Sequence, residues 1–211
     1  ASNVAELFIL GDLFEYWIGD DDLEDPFNAG ICGLLRSAAD MGPSIGFIAG
    51  NRDFLIGERF AAAAGMTLLD EAVTVDVGGR PTLLMHGDTV CTDDLPYQEF
   101  RRMVRAREWQ SAFLARPLAE RRAEVENLRR RSVQAMQGKT AEIMDANPAA
   151  IGAALAAHGC SRLIHGHTHR PGHESVGSGD AERWVLSDWD TGRGDALEIN
   201  ASGVRRIDLS R

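Results

Sequence analysis

The sequence predicts an α/β fold whose core is interrupted by an inserted helical segment. Short apolar runs typical of buried strands alternate with segments of helical periodicity, which predicts an α/β core. One long stretch, from Tyr97 to Asp145, has apolar residues at helical spacing and no strand-like run. The chain has 211 residues, 26% of them charged and 44% hydrophobic, which is long enough for one core with an insertion.

Four apolar runs are predicted to be buried strands, because each is too short for an amphipathic helix. They are residues 7–10, 45–49, 82–85 and 162–164. Helices are predicted at residues 27–41, 59–64 and 148–158. Asn147 as N-cap, Pro148 at the first helical position and Gly159 after the end favour the last helix.

A hairpin and three later strands complete the predicted core. Residues 73–77 alternate between apolar and polar, and Gly78-Gly79 would turn the chain into the strand at residues 82–85. Shorter strand-like runs follow at residues 184–186, 196–199 and 204–207.

Residues 97–145 are predicted to form two or three helices that cap the core. The core would then comprise residues 1–96 and 146–211, without its first strand. Within the predicted cap, residues 101–139 contain eleven basic and four acidic side chains, whereas the whole chain has a net charge of −10. This basic segment favours an anionic partner, either a phosphate group or an anionic membrane surface, although a solvated helical face is the alternative. The acidic remainder of the chain argues against nucleic acid as a partner.

The composition also excludes several classes of protein. No apolar run approaches the roughly 20 residues of a transmembrane helix, and the first residues lack the pattern of a signal peptide. Cys32, Cys91 and Cys160 are far apart and form no C-x-x-C pair, so we expect reduced thiols and a cytoplasmic protein.

Polar residues with metal-ligand chemistry follow each of the four predicted strands, next to glycine. The four segments are Gly11-Asp12, Gly50-Asn51-Arg52-Asp53, His86-Gly87-Asp88 and His165-Gly166-His167-Thr168-His169. Ligand sites of α/β sheets form at the carboxyl ends of strands. Carboxylate, amide and imidazole ligands without thiolate suit Mn, Fe, Zn or Co, and a carboxylate can bridge two ions for displacement at phosphorus.

These four segments resemble blocks of the calcineurin-like metallophosphoesterases. That family usually has Asn-His-Asp where this chain has Asn51-Arg52-Asp53. The Asn-Arg-Asp segment and the sequences of residues 10–21 and 86–94 resemble those of one branch of the family. That branch is the UDP-2,3-diacylglucosamine pyrophosphatases of lipid A biosynthesis in Gram-negative bacteria. The resemblance extends from Glu6 to Pro171. It implies a β-sandwich core flanked by helices, with an inserted helical cap.

The resemblance also implies the site residues. Asp12 would bridge two Mn²⁺ ions, although other divalent transition metals would suit the same ligands. The implied metal ligands, which are also the catalytic residues, are Asp12, Asn51, His86, His167 and His169. The implied substrate-binding residues are Asn51, Arg52, Asp94, Arg129, Ser132, Lys139 and His167. His165 has no ligand role in the family.

The activity that the resemblance implies is hydrolysis of the pyrophosphate bond of UDP-2,3-diacylglucosamine. Metal-activated water would attack the α-phosphorus and release UMP and 2,3-diacylglucosamine 1-phosphate (lipid X). We therefore expect a monomeric peripheral enzyme on the cytoplasmic face of the inner membrane, in contact with its anionic surface. Trp109, Phe113, Leu114 and Leu118 either line a channel for acyl chains or pack the cap against the core.

Two alternatives remain at this point. The chain could be another metallophosphoesterase that acts on soluble phosphodiesters, or a non-catalytic relative that binds a lipid or a metal. The family has an Asp-x-His block some 30 residues before the position of Asp12, and we expect the natural protein to contain that block upstream of Ala1.

Overall fold

The α/β class is confirmed by the computed structural model, which describes residues 4–136, 138, 140 and 143–210. The chain divides into two compact units. The first unit comprises Ala1–Asp70 and Leu95–Ala141, and the second comprises Glu71–Asp94 and Glu142–Arg211. None of the described helices has both the length and the apolar character needed to cross a membrane.

The first unit is built on a parallel sheet of three strands in the order β1-β2-β3. These strands are β1 (Glu6–Ile9), β2 (Ser44–Ile48) and β3 (Met66–Leu69). Helix α1 (Pro26–Asp40) connects β1 to β2, and α2 (Glu58–Ala64) connects β2 to β3. Because β1 and β2 are parallel, the loops that follow them leave the same edge of the sheet.

Local sequence determines where these helices begin and end. Asp25 caps α1 by accepting a hydrogen bond from the backbone of Phe27, and Pro26 occupies the first turn. Helix α2 ends at Gly65, whose φ of 71° lies in the left-handed region that glycine adopts without strain.

The core of the first unit is aromatic. Phe14 and Trp17, from the loop after β1, pack against Phe60 of α2 with ring centroids 5.5 and 4.8 Å away. Phe113 is buried in the same cluster, and Trp109 stacks on it at 4.9 Å. Of the two interpretations offered for Trp109 and Phe113, packing is therefore the one that the structure shows.

Three helices follow in the first unit, in agreement with the predicted number. They are α3 (Leu95–Arg105), α4 (Arg107–Leu114) and α5 (Leu118–Met136). Helix α5 is attached to the loop after β1 by Arg121, a buried arginine that donates to the backbone carbonyl of Ile18 and to the carboxylate of Asp21.

The second unit contains a mixed sheet of five strands in the order β4-β5-β6-β8-β7. The strands are β4 (Ala72–Val77), β5 (Arg80–Met85), β6 (Arg162–His165), β7 (Gly172–Ser175) and β8 (Glu182–Val185). Strands β5, β6 and β8 are parallel, so the segments that follow them share one edge. Helix α6 (Pro148–Ala157) precedes β6, and a separate hairpin consists of β9 (Asp195–Asn200) and β10 (Gly203–Asp208).

The four predicted strands with chemistry at their ends are confirmed, as are the three core helices and the hairpin. Two strands were not predicted. β3 is only four residues long, and β7 is a fully exposed Gly-His-Glu-Ser segment that has no apolar residue to mark it. The division into residues 1–96 with 146–211 and a cap of residues 97–145 stays a prediction.

Candidate metal centre

The turn after β1 holds Asp12 in the left-handed region of backbone conformation. The φ angle is 81° at Gly11 and 56° at Asp12. A residue other than glycine pays about 1–3 kcal/mol for such a conformation, and such residues cluster at functional sites. The Oδ1 atom of Asp12 accepts a hydrogen bond of 3.1 Å from the backbone N–H of Arg52, in the loop after β2.

Gly50 allows these two loops to approach each other. A Cβ atom at residue 50 would collide with the side chain and the backbone nitrogen of Asp12. The glycine that precedes Asn51 is therefore required by packing, and this close approach places Asn51 in the loop directly beside Asp12. Asn51 itself is partly buried.

Asp53 ties the two loops together. Its carboxylate is completely buried and accepts hydrogen bonds from the backbone N–H of Leu13 at 2.6 Å and of Gly50 at 2.8 Å. Hydrogen bonds to an ionised acceptor are stronger than neutral ones. Asp53 therefore fixes the spacing between the Asp12 turn and the Asn51 loop.

Arg52 connects Asp12 to a second carboxylate. The Nε atom of Arg52 lies 3.4 Å from Oδ2 of Asp12, and Nη1 donates to Oε2 of Glu15 at 3.0 Å. Arg129 of α5 donates to the same Oε2 atom at 2.7 Å. Two of the predicted substrate-binding residues, Arg52 and Arg129, thus converge on Glu15.

Helix α3 supports the loop after β2 through Arg105. Its Nη2 atom donates to the carbonyl oxygens of Ala49 and Gly50, at 3.2 and 2.9 Å. The guanidinium group also lies 5.0 Å from the centre of the Phe54 ring, at cation–π distance. Arg105 therefore stabilises the backbone that leads to Asn51.

In the second unit, His86 and His167 come together at the ends of β5 and β6. Their ring centroids are 5.0 Å apart with an interplanar angle of 66°, and His86 is buried. The backbone N–H of Gly166 donates to the carbonyl oxygen of His86 at 2.8 Å, which joins the two segments. Two imidazole rings are thus available to one ion in this unit.

The backbone around His167 is strained in the same way as at Asp12. The φ angles of His167 and His169 are 62° and 54°. In the part of the chain that the structure describes, the non-glycine residues with positive φ are Asp12, His167 and His169. All three are predicted metal ligands. A carboxylate oxygen of Asp188 lies 4.0 Å from Nδ1 of His169.

His165 is a structural residue. Its Nε2 atom accepts a hydrogen bond of 2.8 Å from Nε of Arg183, so Nδ1 carries the proton and donates to the carbonyl oxygen of Gly166 at 2.8 Å. Burial, and secondly the charge of Arg183, lowers the pKa of His165 from 6.5 to about 3, so the ring is neutral. With both nitrogens engaged, His165 has no ligand atom to offer.

Arg183, which is buried, joins His165 to two carboxylates that are partly exposed. It donates to Oδ1 of Asp145 at 2.9 Å and to Oε1 of Glu174 at 2.6 Å. Burial acts to raise the pKa of Asp145, but hydrogen bonds led by that from Arg183 hold the pKa below its usual value of 3.8. The imidazole-bearing segment therefore rests on a network of full charges.

The cysteines have no part in this chemistry. All three are free thiols. Burial, reinforced by neighbouring carboxylates, raises the pKa of the Cys91 thiol to about 12, so this side chain is neither a thiolate ligand nor a nucleophile at neutral pH.

Comparison with curated proteins shows the family to which this sequence is related. A UDP-2,3-diacylglucosamine hydrolase of Aromatoleum aromaticum is 49% identical over 191 residues, which cover 90% of this chain and 78% of that protein. The hydrolases of that name from Chromohalobacter salexigens and Chromobacterium violaceum are 48% and 45% identical. Each of these alignments covers 98% of this chain and at least 85% of the relative. The chain belongs to the UDP-2,3-diacylglucosamine hydrolase family. It is therefore an enzyme of the hydrolase class.

No family model matches the sequence. Among solved structures, an archaeal phosphodiesterase is 14% identical with a TM-score of 0.47, over 99% of this chain and 85% of its own. A zinc complex of Vps29 from Entamoeba histolytica is 16% identical with a TM-score of 0.38, over 81% of this chain and 72% of its own. Membership of the UDP-2,3-diacylglucosamine hydrolase family rests on the sequence relatives.

Three further substrate-binding residues were predicted for this member of the UDP-2,3-diacylglucosamine hydrolase family, namely Asp94, Ser132 and Lys139. Asp94 is buried in the second unit, and Ser132 is exposed on α5. Lys139 lies outside the described residues. The roles assigned to all of these residues stay predictions.

Glu15, Asp53 and Arg105 were not predicted to have a role in the site. Asp53 was visible in the Asn51-Arg52-Asp53 segment, but its function depends on backbone amides contributed by two different loops. Arg105 was one of eleven basic residues in the cap segment, and no local pattern separated it from the others.

Proposed function

We propose that the chain hydrolyses the pyrophosphate bond of UDP-2,3-diacylglucosamine to UMP and 2,3-diacylglucosamine 1-phosphate, by attack of water on the α-phosphorus, in lipid A biosynthesis. Relatives that are 45–49% identical over most of the chain carry the name of that hydrolase. The observation that carries the proposal is the left-handed backbone of Asp12, His167 and His169. Strain of this kind persists where function requires it.

The proposed site takes two divalent metal ions, with Mn²⁺ as the expected metal. The ligands that we propose are the carboxylate of Asp12, the amide oxygen of Asn51 and the imidazole nitrogens of His86, His167 and His169. This donor set fits Mn²⁺, Fe²⁺, Zn²⁺ or Co²⁺ and contains no thiolate. When bound, such ions lower the pKa of water and offset the negative charge of phosphate oxygens.

The chain's own residues would bind and orient the diphosphate. The Arg52 guanidinium group, beside Asp12, can hold two phosphate oxygens at once because its donors are arranged in a planar fork. Arg129 and Ser132 of α5, with Asp94 and Lys139, are the further substrate contacts that we propose. The departing product is itself a phosphate monoester, so the reaction requires no strong general acid from the protein.

The decisive experiment is UMP release from UDP-2,3-diacylglucosamine by the full-length natural protein, with and without Mn²⁺. Asp12→Ala and His167→Ala should each abolish release. His158→Ala is the matched control, because His158 is exposed and its ring is hydrogen-bonded to the carbonyl oxygen of Ala154 in its own helix. It should retain wild-type activity.

Each alternative outcome has a definite meaning. Release that continues in Asp12→Ala or His167→Ala would refute the assignment of these residues to the proposed metal site. Turnover of bis(p-nitrophenyl) phosphate at a rate that rivals the lipid nucleotide would favour a hydrolase of soluble phosphodiesters. Metal binding without any turnover would favour a non-catalytic relative.

We also propose that the protein acts as a monomer at the cytoplasmic face of the inner membrane. Exposed apolar side chains occur on α3 (Phe100 and Met103) and α4 (Leu114), and exposed arginines occur on α5 (Arg130 and Arg131). Apolar and basic side chains together are typical of surfaces that bind anionic lipid.

Vesicle co-sedimentation at low salt tests this location. Replacing Arg130 and Arg131 by Gln should reduce binding to anionic vesicles by about thirtyfold, at roughly 1 kcal/mol for each charge. The same double change at Arg193 and Arg205 is the control, since these exposed arginines lie outside the helical segment. Equal binding by both variants would refute the proposed binding of these arginines to the membrane surface. Analytical ultracentrifugation would test whether the protein is a monomer.

A further inference from the structure

Glu15 accepts hydrogen bonds from two arginines that come from different parts of the first unit. Arg52 follows β2 and Arg129 belongs to α5, and both donate to the same Oε2 atom, at 3.0 and 2.7 Å. Two guanidinium groups repel each other unless an anion lies between them. The Glu15 carboxylate is therefore the group that allows their convergence in the described structure.

The exposure of this cluster distinguishes it from the ion pair that Arg121 of α5 makes with Asp21. Arg121 is 2% exposed and is held by Asp21 and a backbone carbonyl, so it is a structural attachment. Arg129 lies further along α5, a little over two helical turns from Arg121. It is 51% exposed, and Glu15 is 60% exposed. Exposed ion pairs contribute little to stability, so the Glu15 cluster requires another explanation.

The cluster is also connected to the candidate metal centre. Arg52 directs its Nε atom towards Asp12 and its Nη1 atom towards Glu15, so one planar group connects the two carboxylates. A guanidinium group has five donors, and Arg129 uses one of them on Glu15. Both arginines therefore retain donors for a phosphate group while they stay bound to Glu15.

We infer that Glu15 is a positioning residue for substrate binding, which holds Arg52 and Arg129 together so that both can bind one phosphate group of the substrate. This inference rests on the proposed function, because it takes the phosphate to be part of the diphosphate ester. Glu15 acts through the two arginines and does not itself contact the reacting atoms. Its removal should therefore weaken binding and leave the chemical step largely intact.

The test is steady-state kinetics of UMP release by the full-length protein. Glu15→Gln should raise KM about tenfold and change kcat by less than twofold. Glu15→Asp keeps the charge on a shorter side chain, and its KM should lie between that of the unchanged protein and that of Glu15→Gln. Glu24→Gln is the matched control, since Glu24 is an exposed glutamate whose ion-pair partner, Arg59, has no predicted role in the site. It should leave both constants unchanged.

A double-mutant cycle distinguishes positioning from a simple effect of charge. Arg129→Gln should raise KM by a similar factor, and adding Glu15→Gln to it should have little further effect if Glu15 acts through Arg129. Independent effects would instead multiply to about a hundredfold.

The outcomes separate this inference from the proposed function. Absence of UMP release by the unchanged protein would overturn the proposed function, and the inference with it. If the unchanged protein releases UMP normally, three results would overturn the inference and leave the proposed function standing. They are an unchanged KM in Glu15→Gln, a fall in kcat alone in that variant, and multiplicative effects in the double-mutant cycle.

Discussion

The strained predicted ligands form two sets, the Asp12 half in the first unit and the His167 half in the second, and the two halves are supported in different ways. Asp12, in the first unit, is contacted by Arg52, whose other partner is the exposed carboxylate of Glu15. His167, in the second unit, adjoins His165, which is fixed by the buried Arg183. Exposed pairs exchange readily with water and ligands, whereas buried ones do not. The first half is therefore suited to respond to substrate, and the second half to remain rigid.

The largest loss of activity is expected when the space between the Asp12 turn and the Asn51 loop, in the first half, is filled. Gly50→Ala would force a methyl group onto Asp12. We expect UMP release to fall by about a hundredfold, because small displacements of reacting groups have effects of that size. Gly33→Ala is the control, since a Cβ there meets no neighbouring atom and should stabilise α1 by about 0.5–1 kcal/mol. Wild-type activity in Gly50→Ala would contradict the packing argument.

The rigidity of the second half can be tested at Arg183. Arg183→Met removes the donor to the buried Nε2 atom of His165 and one of the two arginine partners of Asp145, which keeps Arg170. The free energy of unfolding, measured with urea, should fall by about 2–3 kcal/mol, because the buried ring of His165 loses its hydrogen-bond partner. Arg205→Met removes an exposed pair with Glu198 and should cost less than about 1 kcal/mol. Similar losses in both variants would show that the network does not support this half.

Arg121 and Arg129, both on α5, allow a second comparison within the first unit. Arg121→Gln should lower the free energy of unfolding by about 2–3 kcal/mol, since Asp21 and the Ile18 carbonyl lose a buried donor. Arg129→Gln should change it by less than about 0.5 kcal/mol and should instead raise KM. If Arg129→Gln destabilised the protein as strongly as Arg121→Gln, the cluster around Glu15 would be a structural attachment.

The smallest effect concerns acid stability. Hydrogen bonds lower the pKa of Asp145 in the folded protein, so they stabilise the folded state at pH values above the usual pKa of 3.8. This contribution is lost as the pH falls through the lower pKa of the folded protein. The stability difference between wild type and Asp145→Asn should therefore be constant near neutral pH and shrink below pH 3.8. Urea unfolding at several pH values would measure it, and a difference that does not change with pH would contradict the assignment.

Much of the fold was predictable from local patterns. The runs before Asp12, Asn51, His86 and His165 are apolar and short, which identifies buried strands without knowledge of their partners. The candidate ligands could be named because glycine and a metal-ligating side chain follow each strand. β7 could not be predicted, because its exposed residues carry no hydrophobic pattern.

The sequence by itself determined the α/β class, the strands that end in metal-ligating residues and the family, because each depends on residue type at short spacing. Only the tertiary structure decided that Asp53 ties two loops together, that His165 is neutral and engaged, and that Glu15 joins Arg52 to Arg129. These contacts connect residues that are up to 114 positions apart. Local propensity carries no information on such pairs, since they form only when the packing of strands and helices brings their backbones together.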